Sequence, residues 1–257
     1  MPRIICIANQ KGGVGKTTTT VNLAASLAAT ERPTLIVDID PQGNATSGVG
    51  LEKKPLRRTI YDALINDMDL RELIVETGHP FLSILPSNSD LTGAELELAD
   101  FDAREQRLKF ALAKLSEQYA YVIIDCPPSL NLLTINAMTA AESVIIPLQC
   151  EYYAMEGLSQ ILRTIKLMQK GLNPFLRIEG ILLTMFDARG NLGKDVMEEI
   201  QSNFPGQVFE TVIPRNVRLA EAPSHGKPII YYDINARGAV AYLELAREII
   251  RKESANG

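Results

Sequence analysis

The residues with the clearest chemistry lie near the N-terminus, in the stretch ANQKGGVGKTTTT at residues 8–20. Its glycines allow the backbone to curl so that successive N–H groups point at phosphate oxygens. Lys16 is expected to reach the β- and γ-phosphates of a nucleotide, and Thr17 to offer its hydroxyl to Mg²⁺. The predicted phosphate-binding loop consists of Gly12, Gly13, Val14, Gly15, Lys16, Thr17 and Thr18.

This loop departs from the usual pattern G-x-x-x-x-G-K-[ST] at two positions. Gln10 stands where the first glycine is expected, and an additional lysine, Lys11, follows it. A loop already wrapped around phosphate has little use for a second cation from its own chain, whereas its exposed mouth can face a partner. The sequence therefore predicts a separate role for Lys11, outside the loop of its own subunit.

Two further segments are expected to bring carboxylates beside the loop. YVIIDCPPS ends a buried strand in Asp125, which can hold Mg²⁺ through water because that ion needs hard oxygen ligands next to the phosphates. TLIVDIDPQGN delivers Asp38 and Asp40 to the same edge of the sheet. Asp40 is the better candidate for orienting the attacking water. Asp38 is expected either to contact the direct ligands of the metal without binding the metal itself, or only to cap the strand end.

Short apolar runs alternate with longer segments of helical spacing along the chain. The predicted strands are 3–8, 34–39, 81–86, 121–126, 143–148 and 177–184. The predicted helices are 16–29, 59–66, 90–99, 103–117, 129–139, 154–170, 191–202 and 237–252, the last with Val240, Leu243, Ala246 and Ile250 as its apolar stripe. Strands that are apolar at nearly every position suit a sheet covered on both faces.

This alternation predicts an α/β fold, with a doubly wound, mostly parallel twisted sheet flanked by helices. The sequence contains no internal repeat and no long linker, so we expect residues 1–257 to form a single domain. The carboxyl ends of parallel strands meet at one edge of such a sheet, where ligands bind. The fold class thus places the loop and the three aspartates together.

Composition limits the classes of function that fit the chain. A net charge of −5 argues against a strongly basic nucleic-acid binder, although it does not exclude a local basic face. No apolar run approaches the roughly 20 residues that span a bilayer, and the N-terminal apolar stretch is too short for a signal peptide. Cys6, Cys126 and Cys150 are widely separated, which predicts buried free thiols in a reducing cytoplasm.

With KGGVGKTT at 11–18, DIDPQGN at 38–44 and DCPPS at 125–129, the chain resembles the ParA/Soj group of the deviant Walker A ATPases, within the P-loop NTPases. Three later stretches are similar to the same group, so the resemblance covers essentially the whole chain. They are PLQCEYYAMEGL at 147–158, ILLTMFDAR at 181–189 and IPRNVRLAEAPSHGKPI at 213–229.

The resemblance implies a Mg²⁺-dependent ATPase with weak intrinsic activity that forms an ATP-dependent homodimer. In this group the additional lysine reaches across the dimer interface to the phosphates bound by the other subunit, which assigns that role to Lys11. Gly12 would permit the close approach of the subunits, and Glu151 would lie near the interface. The catalytic residues would be Lys11, Lys16 and Asp40. The adenine-contacting residues would be Thr184, Met185, Pro214 and Asn216, with ATP preferred over GTP.

The resemblance also implies a role in DNA segregation. The ATP-bound dimer would bind double-stranded DNA without sequence preference, and a ParB-type DNA-binding protein would stimulate hydrolysis and reset the cycle. Dimerisation doubles the number of phosphate contacts, so ATP could switch on DNA binding. The expected contacts are Arg189 and Arg218, followed by Lys227, Arg251 and Lys252. The protein would be cytoplasmic, and associated with the nucleoid when ATP is bound.

Other classes of the superfamily stay open at this point. A MinD-like membrane ATPase carries a C-terminal amphipathic helix, but nothing amphipathic follows the last predicted helix before the end, IIRKESANG. An iron–sulfur carrier or reductase needs suitably placed cysteines from each subunit, and only Cys126 is expected near the nucleotide. A ligase has no support beyond the shared fold. Ten residues precede Lys11, so we expect the short form without an N-terminal helix-turn-helix domain.

Overall fold

The strands form one sheet in a computed structural model that describes residues 2–54, 56–115 and 118–256, the last three of these as backbone only. The strands are β1 (Arg3–Ile7), β2 (Thr34–Asp38), β3 (Val75–Glu76), β4 (Leu82–Leu85), β5 (Tyr121–Asp125), β6 (Ser143–Gln149) and β7 (Arg177–Thr184). Their order across the sheet is β3-β4-β2-β5-β1-β6-β7. Every neighbouring pair is parallel except β3 with β4. The prediction of a mostly parallel sheet is confirmed.

Helices connect the strands and cover both faces of the sheet. Within the described residues they are α1 (Lys16–Ala28), α2 (Asn44–Gly48), α3 (Ile60–Ile65), α4 (Leu91–Leu98), α5 (Arg107–Leu112), α6 (Leu132–Ala140), α7 (Ala154–Lys170), α8 (Asn191–Asn203), α9 (Val217–Glu221), α10 (Ile229–Tyr232) and α11 (Arg237–Asn256). Single 3₁₀ turns occur at Leu70–Glu72, Arg104–Gln106 and Ala222–His225.

The six predicted strands and eight predicted helices are all present, with one clear error of extent. The helix predicted over 103–117 is a 3₁₀ turn followed by α5, which ends at Leu112, while Ser116 and Glu117 lie outside the described residues. The sequence did not predict β3, α2, α9 or α10. These elements have two to five residues, too few to show a period of either kind.

Two apolar clusters fill the space between the sheet and its covering helices. Successive strand residues point to opposite faces, so Ile5 and Ile7 join one cluster while Cys6 joins the other. Helices α3 to α8 contribute to the cluster that contains Cys6, and α1, α2 and α9 to α11 contribute to the opposite one. This two-sided burial explains why the strands read as nearly continuous apolar runs.

The buried stripe of α11 contains Ala246 as predicted but is otherwise offset by one residue from the predicted one. The buried residues are Ala239, Tyr242, Leu245, Ala246 and Ile249, whereas Val240 is exposed and Leu243 and Ile250 are only partly buried. Both stripes have helical spacing, so the sequence pattern does not choose between them. Contact with α1 does choose, because the Tyr242 hydroxyl lies 3.2 Å from Thr19 Oγ1 in the buried interface.

The carboxyl ends of β1, β2 and β5 bring the candidate chemistry to one edge of the sheet. In the strand register Asp125 lies opposite both Ile7 of β1 and Asp38 of β2. The chain leaves β1 through the glycine loop and enters α1 at Lys16. The loop therefore lies directly above the two aspartates.

Strand β7 contains a bulge near its amino-terminal end. The pairing with β6 shifts at Glu179, whose carboxylate accepts two hydrogen bonds from Arg3, at 2.7 and 2.6 Å, and one from the Ser143 hydroxyl at 2.8 Å. The next residue, Gly180, lies against the Phe209 ring, and a β-carbon added there would be 2.5 Å from Phe209 Cε2. The bulge allows Glu179 to bind Arg3 of β1, and the absence of a side chain at Gly180 leaves space for the Phe209 ring.

We predict that Gly180→Ala lowers the free energy of unfolding by about 1–3 kcal/mol, the usual cost of overpacking. Gly157→Ala is the control, because the space around this α7 glycine is open and alanine is the better helix former, by about 0.5–1 kcal/mol. Urea denaturation of both variants measures the difference. Equal stabilities would contradict the packing of Phe209 described here.

Candidate active site

The glycine loop between β1 and α1 has the backbone conformation of a phosphate cradle. Gly13 and Gly15 adopt positive φ angles of 75° and 89°, which favour glycine. A β-carbon added at Gly12 or Gly13 would meet no atom within 4 Å, so the loop is open on this side. Gly15 immediately precedes α1, whose first N–H groups carry partial positive charge toward the cleft. The loop can therefore bind an anion with its backbone.

Lys16 is buried at the start of α1 and folds back over this loop. Its Nζ donates a hydrogen bond to the Lys11 carbonyl oxygen at 3.1 Å. Burial lowers the pKa of the Lys16 ammonium, and the nearby Asp125, Cys126 and Asp40 act in the opposite direction. The ammonium is thus held at the mouth of the loop, where phosphate charge would offset the cost of its burial.

Asp125, at the end of β5, is fully buried and only half satisfied. Its Oδ1 accepts a hydrogen bond from the Thr20 hydroxyl at 2.9 Å, while its buried Oδ2 has no hydrogen-bond partner among the described residues. Burial first, and then the charge of Asp38, raise the pKa of Asp125 to about 8, against the hydroxyls of Thr17 and Thr20. A buried carboxylate oxygen without a partner, next to the Thr17 hydroxyl, has the chemistry that fits Mg²⁺ and its water ligands.

Asp38 lies beside Asp125 but its contacts point to the loop that follows β2. Its Oδ2 accepts hydrogen bonds from the Thr46 backbone N–H at 2.8 Å and the Thr46 hydroxyl at 2.7 Å, and its Oδ1 accepts one from the Asp40 N–H at 3.2 Å. Burial raises the pKa of Asp38 to about 6, and its bonds with Thr46 counter that shift. These contacts favour the strand-end cap over the metal site for Asp38.

Asp40 is buried at the wall of a cleft of about 410 Å³ above the glycine loop. Its Oδ1 accepts a hydrogen bond from the Gln42 N–H at 2.9 Å, and its carbonyl oxygen accepts one from Ser87 at 2.8 Å. The cleft is lined by Gly12, Gly13, Gly15, Lys16, Thr17, Thr18, Asp40, Gln42, Asn44, Pro128 and Met185. The structure therefore brings Asp40 and the predicted loop together, and adds Gln42, Asn44 and Pro128, which the sequence analysis did not single out.

A second cleft of about 350 Å³ adjoins the first. It is lined by Gly15, Thr18, Thr184, Met185, Ile213, Pro214, Arg215, Asn216, Val217, Leu219, Ala220 and Tyr242. All four residues expected to contact adenine lie in this wall. Tyr242 could not be found from a local motif, because it comes from α11, far along the chain.

Met185 and Thr184 join this second cleft to the phosphate loop. Met185 lines both clefts and adopts a positive φ of 52°, a left-handed conformation that is uncommon outside glycine. The Thr184 hydroxyl donates a hydrogen bond to the Val14 carbonyl oxygen at 2.8 Å, so it is engaged with the loop. Asn216 caps α9 by accepting a hydrogen bond from the Leu219 N–H at 3.3 Å. The two clefts form one continuous groove.

The two unusual residues of the loop both contact the region of α7. Lys11 Nζ forms an ion pair with Glu151 at 2.8 Å, three residues before α7 begins, and both side chains are exposed. Gln10 Nε2 donates a hydrogen bond to the hydroxyl of Thr164, which is buried within α7, at 2.9 Å. Gln10 thus replaces the usual glycine with a link between the phosphate loop and α7.

The predicted DNA contacts lie on the surface, and most are already ion-paired. Arg189 pairs with Asp187 at 2.7 Å, Arg218 pairs with Glu221 at 2.8 Å, and Lys227 is exposed. The weaker candidates are paired as well, Arg251 with Glu210 and Lys252 with Glu248, each at 3.0 Å. The arginine pairs are exposed and worth about 0–1 kcal/mol each, so the arginines can exchange partners, whereas Lys252 pairs with the buried Glu248.

The two apolar neighbours of Arg218 differ in exposure. Leu219 is buried, whereas Val217 is 72% exposed. Backbone contacts between Phe186 and the segment at Pro214 and Arg215 join the loop that carries Arg189 to the loop that leads to Arg218. The structure thus connects the two arginine-bearing segments beside the second cleft.

The cysteines are free thiols, two of them fully enclosed. Cys6 and Cys126 are buried, and Cys150 is half-buried. Burial raises the pKa of the Cys150 thiol to about 11, and a hydrogen bond with Cys6 together with burial raises the pKa of Cys126. Within the described residues, no helix combines the length and apolar character needed to cross a membrane.

Comparison with known proteins agrees with this geometry. A family model described as an AAA domain matches residues 2–178. The chain is 59% identical, over 98% of its length and 89% of the relative, to the chromosome partitioning protein ParA of Myxococcus xanthus. It is 58% identical, over the full length of both chains, to the sporulation initiation inhibitor protein Soj of Bacillus subtilis.

Solved structures with the same fold include proteins of other names. The cobyrinic acid a,c-diamide synthase of Mycobacterium smegmatis with bound ADP and magnesium has a TM-score of 0.88 and 38% identity, covering 100% of this chain and 97% of that one. The septum site-determining protein MinD of Pyrococcus horikoshii, complexed with Mg-ADP, has a TM-score of 0.80 and 27% identity, covering 100% and 99%.

A mostly parallel sheet with a glycine loop between β1 and α1 and aspartates at the ends of β2 and β5 defines the P-loop class of nucleotide-binding proteins. Proteins of several names share this fold, so the sequence identities of 59% and 58% identify the family more specifically than the fold does. The chain belongs to the ParA/Soj family of chromosome-partitioning ATPases.

The raised pKa values at this site predict the pH dependence of stability in Mg²⁺-free buffer. The folded chain keeps the Asp125 proton up to about pH 8, whereas an unfolded aspartate releases it near pH 4, so the free energy of unfolding falls as pH rises between these values. Asp125→Asn mimics the protonated form. It should reduce this fall by at least about 1 kcal/mol, the equivalent of one pKa unit, in urea denaturation at pH 5 and pH 8.5.

Asp102→Asn, at an exposed carboxylate, is the control and should leave the pH dependence as it is in the wild type. The same pH dependence in the Asp125→Asn variant and the wild type would show that Asp125 is ionised in the folded chain and would contradict the burial argument.

Proposed function

We propose that this chain is a Mg²⁺-dependent ATP hydrolase of DNA partitioning, whose ATP-bound dimer binds DNA without sequence preference until a ParB-type partner stimulates hydrolysis. The observation that carries the proposal is the continuous groove from the glycine loop through Met185 to Asn216, with the half-satisfied Asp125 beneath it. The names of the relatives with 59% and 58% identity support the same activity.

ATP would lie along the groove. The phosphates would lie on the glycine loop, where the N–H groups and Lys16 supply positive charge. The adenine would lie in the second cleft, whose apolar wall includes Ile213, Pro214 and Leu219. The structural neighbour from Mycobacterium smegmatis with bound ADP and magnesium supports nucleotide binding at this fold.

Mg²⁺ would be held by the Thr17 hydroxyl and, through water, by Asp125. When bound, the ion neutralises negative charge on the transferred phosphoryl group. The Lys16 ammonium would add positive charge near the same phosphoryl group. Asp40 would orient the attacking water, since its position is fixed by the bonds of its carboxylate to Gln42 and of its carbonyl to Ser87. Asp38 would act indirectly, by shaping this loop through Thr46.

Lys11 would complete the site of the other subunit. Its ion pair with Glu151 is exposed and therefore inexpensive to break, at about 0–1 kcal/mol. Phosphate charge on a facing subunit offers a stronger, charge-assisted partner. The exchange of Glu151 for phosphate would link dimerisation to ATP, with Gly12 leaving space at the loop surface because it has no side chain.

The alternative classes fit the structure less well. The buried stripe of α11 packs on the domain, so the continuous apolar face among the described side chains of that helix is already covered and is not available for a MinD-like membrane contact. Cys126 is enclosed and its pKa is raised, whereas a cluster ligand must be an accessible thiolate. The synthase from Mycobacterium smegmatis is 38% identical, well below the partition proteins, so partitioning is favoured over amide formation.

A mixing experiment tests whether Lys11 acts across the dimer. Lys11→Ala and Asp40→Ala should each bind ATP and lose most turnover. Lys11→Ala removes positive charge from the transferred phosphoryl group and Asp40→Ala removes the group that orients the attacking water, and either loss typically costs at least about 10²-fold in rate. In a heterodimer of the two variants, one site is intact because it combines Asp40 of the Lys11→Ala subunit with Lys11 of the Asp40→Ala subunit. The other site lacks both residues. If half the dimers are mixed and one of their two sites is intact, turnover should return to about a quarter of the wild-type value.

Wild-type turnover would be measured by phosphate release, with Asp90→Ala as the exposed carboxylate control. No recovery on mixing, although both variants bind ATP and mixed dimers are detected by cross-linking of differently labelled subunits, would place Lys11 in the site of its own chain and refute the cross-dimer role.

DNA binding has its own test. Arg189→Glu with Arg218→Glu should abolish ATP-dependent binding of random-sequence duplex DNA, and leave ATP-dependent dimers intact, because neither arginine lines the two clefts of the nucleotide groove. The wild type should lose affinity steeply with salt, as phosphate contacts require. Arg58→Glu with Arg71→Glu is the matched control, since both are exposed and ion-paired elsewhere. Unchanged DNA affinity in the first variant would remove Arg189 and Arg218 from the interface.

A further inference from the structure

The outer side of α7 carries a stripe of charge that the proposed function does not use. Arg163, Lys166, Leu167 and Lys170 are spaced by three and four residues, so they lie along one side of the helix. All four are exposed, and Leu167 is 67% exposed although it is apolar. The opposite side of α7 packs into the core, so this outer side is held in place. We call these four residues the α7 stripe.

The cations of the α7 stripe have no carboxylate partner within the part of the chain that the structure describes. This contrasts with Arg189, Arg218 and Arg251, each of which is ion-paired. The acid on the outer side of the same helix, Glu156, precedes Arg163 by almost two turns. Three unpaired positive charges around an exposed leucine, in a chain of net charge −5, form a local basic surface.

Beyond the end of α7 lies a groove of about 390 Å³ with similar chemistry. It is lined by Lys109, Thr139, Ala140, Ala141, Glu142, Asn173, Phe175 and Arg177. Lys109 and Arg177 are exposed cations without a carboxylate partner among the described residues, and Phe175 is 87% exposed. Glu142 is the acid in its wall. The groove is at the amino-terminal end of β7, opposite the edge that holds the glycine loop.

We propose that the α7 stripe and this groove form a docking surface for an acidic amphipathic segment of a partner protein. Carboxylates at helical spacing would pair with Arg163, Lys166 and Lys170, and apolar side chains of the segment would cover Leu167 and Phe175. A DNA backbone complements the three charges but offers nothing to two exposed apolar groups. Charge and apolar exposure together therefore favour a protein segment over nucleic acid.

Docking on α7 would be transmitted to the phosphate loop, a consequence that rests on the proposed ATPase function. Thr164, next to Arg163 in the helix, accepts the hydrogen bond of Gln10, and Glu151 just before α7 pairs with Lys11. A segment that shifts α7 would therefore act on two adjacent residues of the loop. Thr164 is a positioning residue in this scheme, since it does not touch the nucleotide groove.

The probe for docking is a fluorescein-labelled, helix-forming peptide of glutamate and leucine, followed by fluorescence anisotropy with the full-length protein. Arg163→Glu with Lys166→Glu and Lys170→Glu should weaken binding by about tenfold or more. The matched control, Lys54→Glu with Lys114→Glu and Lys194→Glu, changes the net charge equally at exposed sites elsewhere and should bind as the wild type does. A peptide with serine in place of leucine should bind more weakly than the parent.

Several results would overturn the docking surface. They are equal affinity for the two charge-reversed proteins, equal affinity for the leucine and serine peptides, and no binding by the wild type. Loss of duplex DNA binding or of binding to anionic vesicles in the α7 variant alone would identify the occupant as nucleic acid or membrane, and would equally refute a protein segment. Anisotropy does not depend on ATP turnover, so failure here is distinct from failure of the proposed function.

The transmission to the loop has a separate readout. Saturating peptide should change ATP turnover at least about twofold in the wild type and leave it unchanged in Thr164→Val, which keeps the shape of the side chain but loses the hydroxyl. The variant should still bind the peptide with wild-type affinity. An equal response of turnover in both proteins, or none in either, would refute the Gln10–Thr164 link.

Discussion

The structure depends on the burial of ionisable groups at the carboxyl ends of β2 and β5. Asp38 and Asp125 are fully enclosed next to each other, and Lys16 is nearly so. Burial of a carboxylate costs several kcal/mol unless partners offset it, and the charge of Asp38 further raises the proton affinity of Asp125. Asp38 meets this cost with its three hydrogen bonds to the loop after β2, whereas Asp125 keeps an unpartnered oxygen. A cation bound near Asp125 would offset the cost of burying this oxygen, which no hydrogen bond from the described residues offsets.

The rest of the fold positions these buried groups and covers them. A parallel sheet is the arrangement that brings the ends of β1, β2 and β5 to one edge, and helices on both faces keep water away from the aspartates. The loops at that edge are then joined to distant elements. Thr184 holds the phosphate loop to β7, and Gln10 holds it to α7. Changes at the loop and changes in the helices are therefore mechanically connected.

Much of the site could be predicted from the sequence because its main parts are contiguous. The glycine loop, Asp38 with Asp40, and Asp125 each follow a strand within a few residues, and the fold class alone places them together. The pairing of Lys11 with Glu151 and of Gln10 with Thr164 could not be predicted, since each joins residues about 140–154 positions apart whose approach depends on packing.

Two errors show the limits of pattern alone. Apart from Ala246, the predicted stripe of α11 was offset by one residue because both registers have helical spacing, and only contact with α1 selects the one with Tyr242 inside. Tyr242 was in turn missed as part of the second cleft. The adenine-contacting residues came from resemblance to a family, and the structure places all four in one wall without testing their role.

The central claim is that the unpartnered oxygen of Asp125 makes the groove a site for nucleotide with Mg²⁺. The most direct test is calorimetric titration with a non-hydrolysable ATP analogue, with and without Mg²⁺, for the wild type and Asp125→Asn. The account predicts that Mg²⁺ tightens binding by at least about tenfold in the wild type, or 1.4 kcal/mol, and that Asp125→Asn loses most of this gain. An equal effect of Mg²⁺ on both proteins would contradict it.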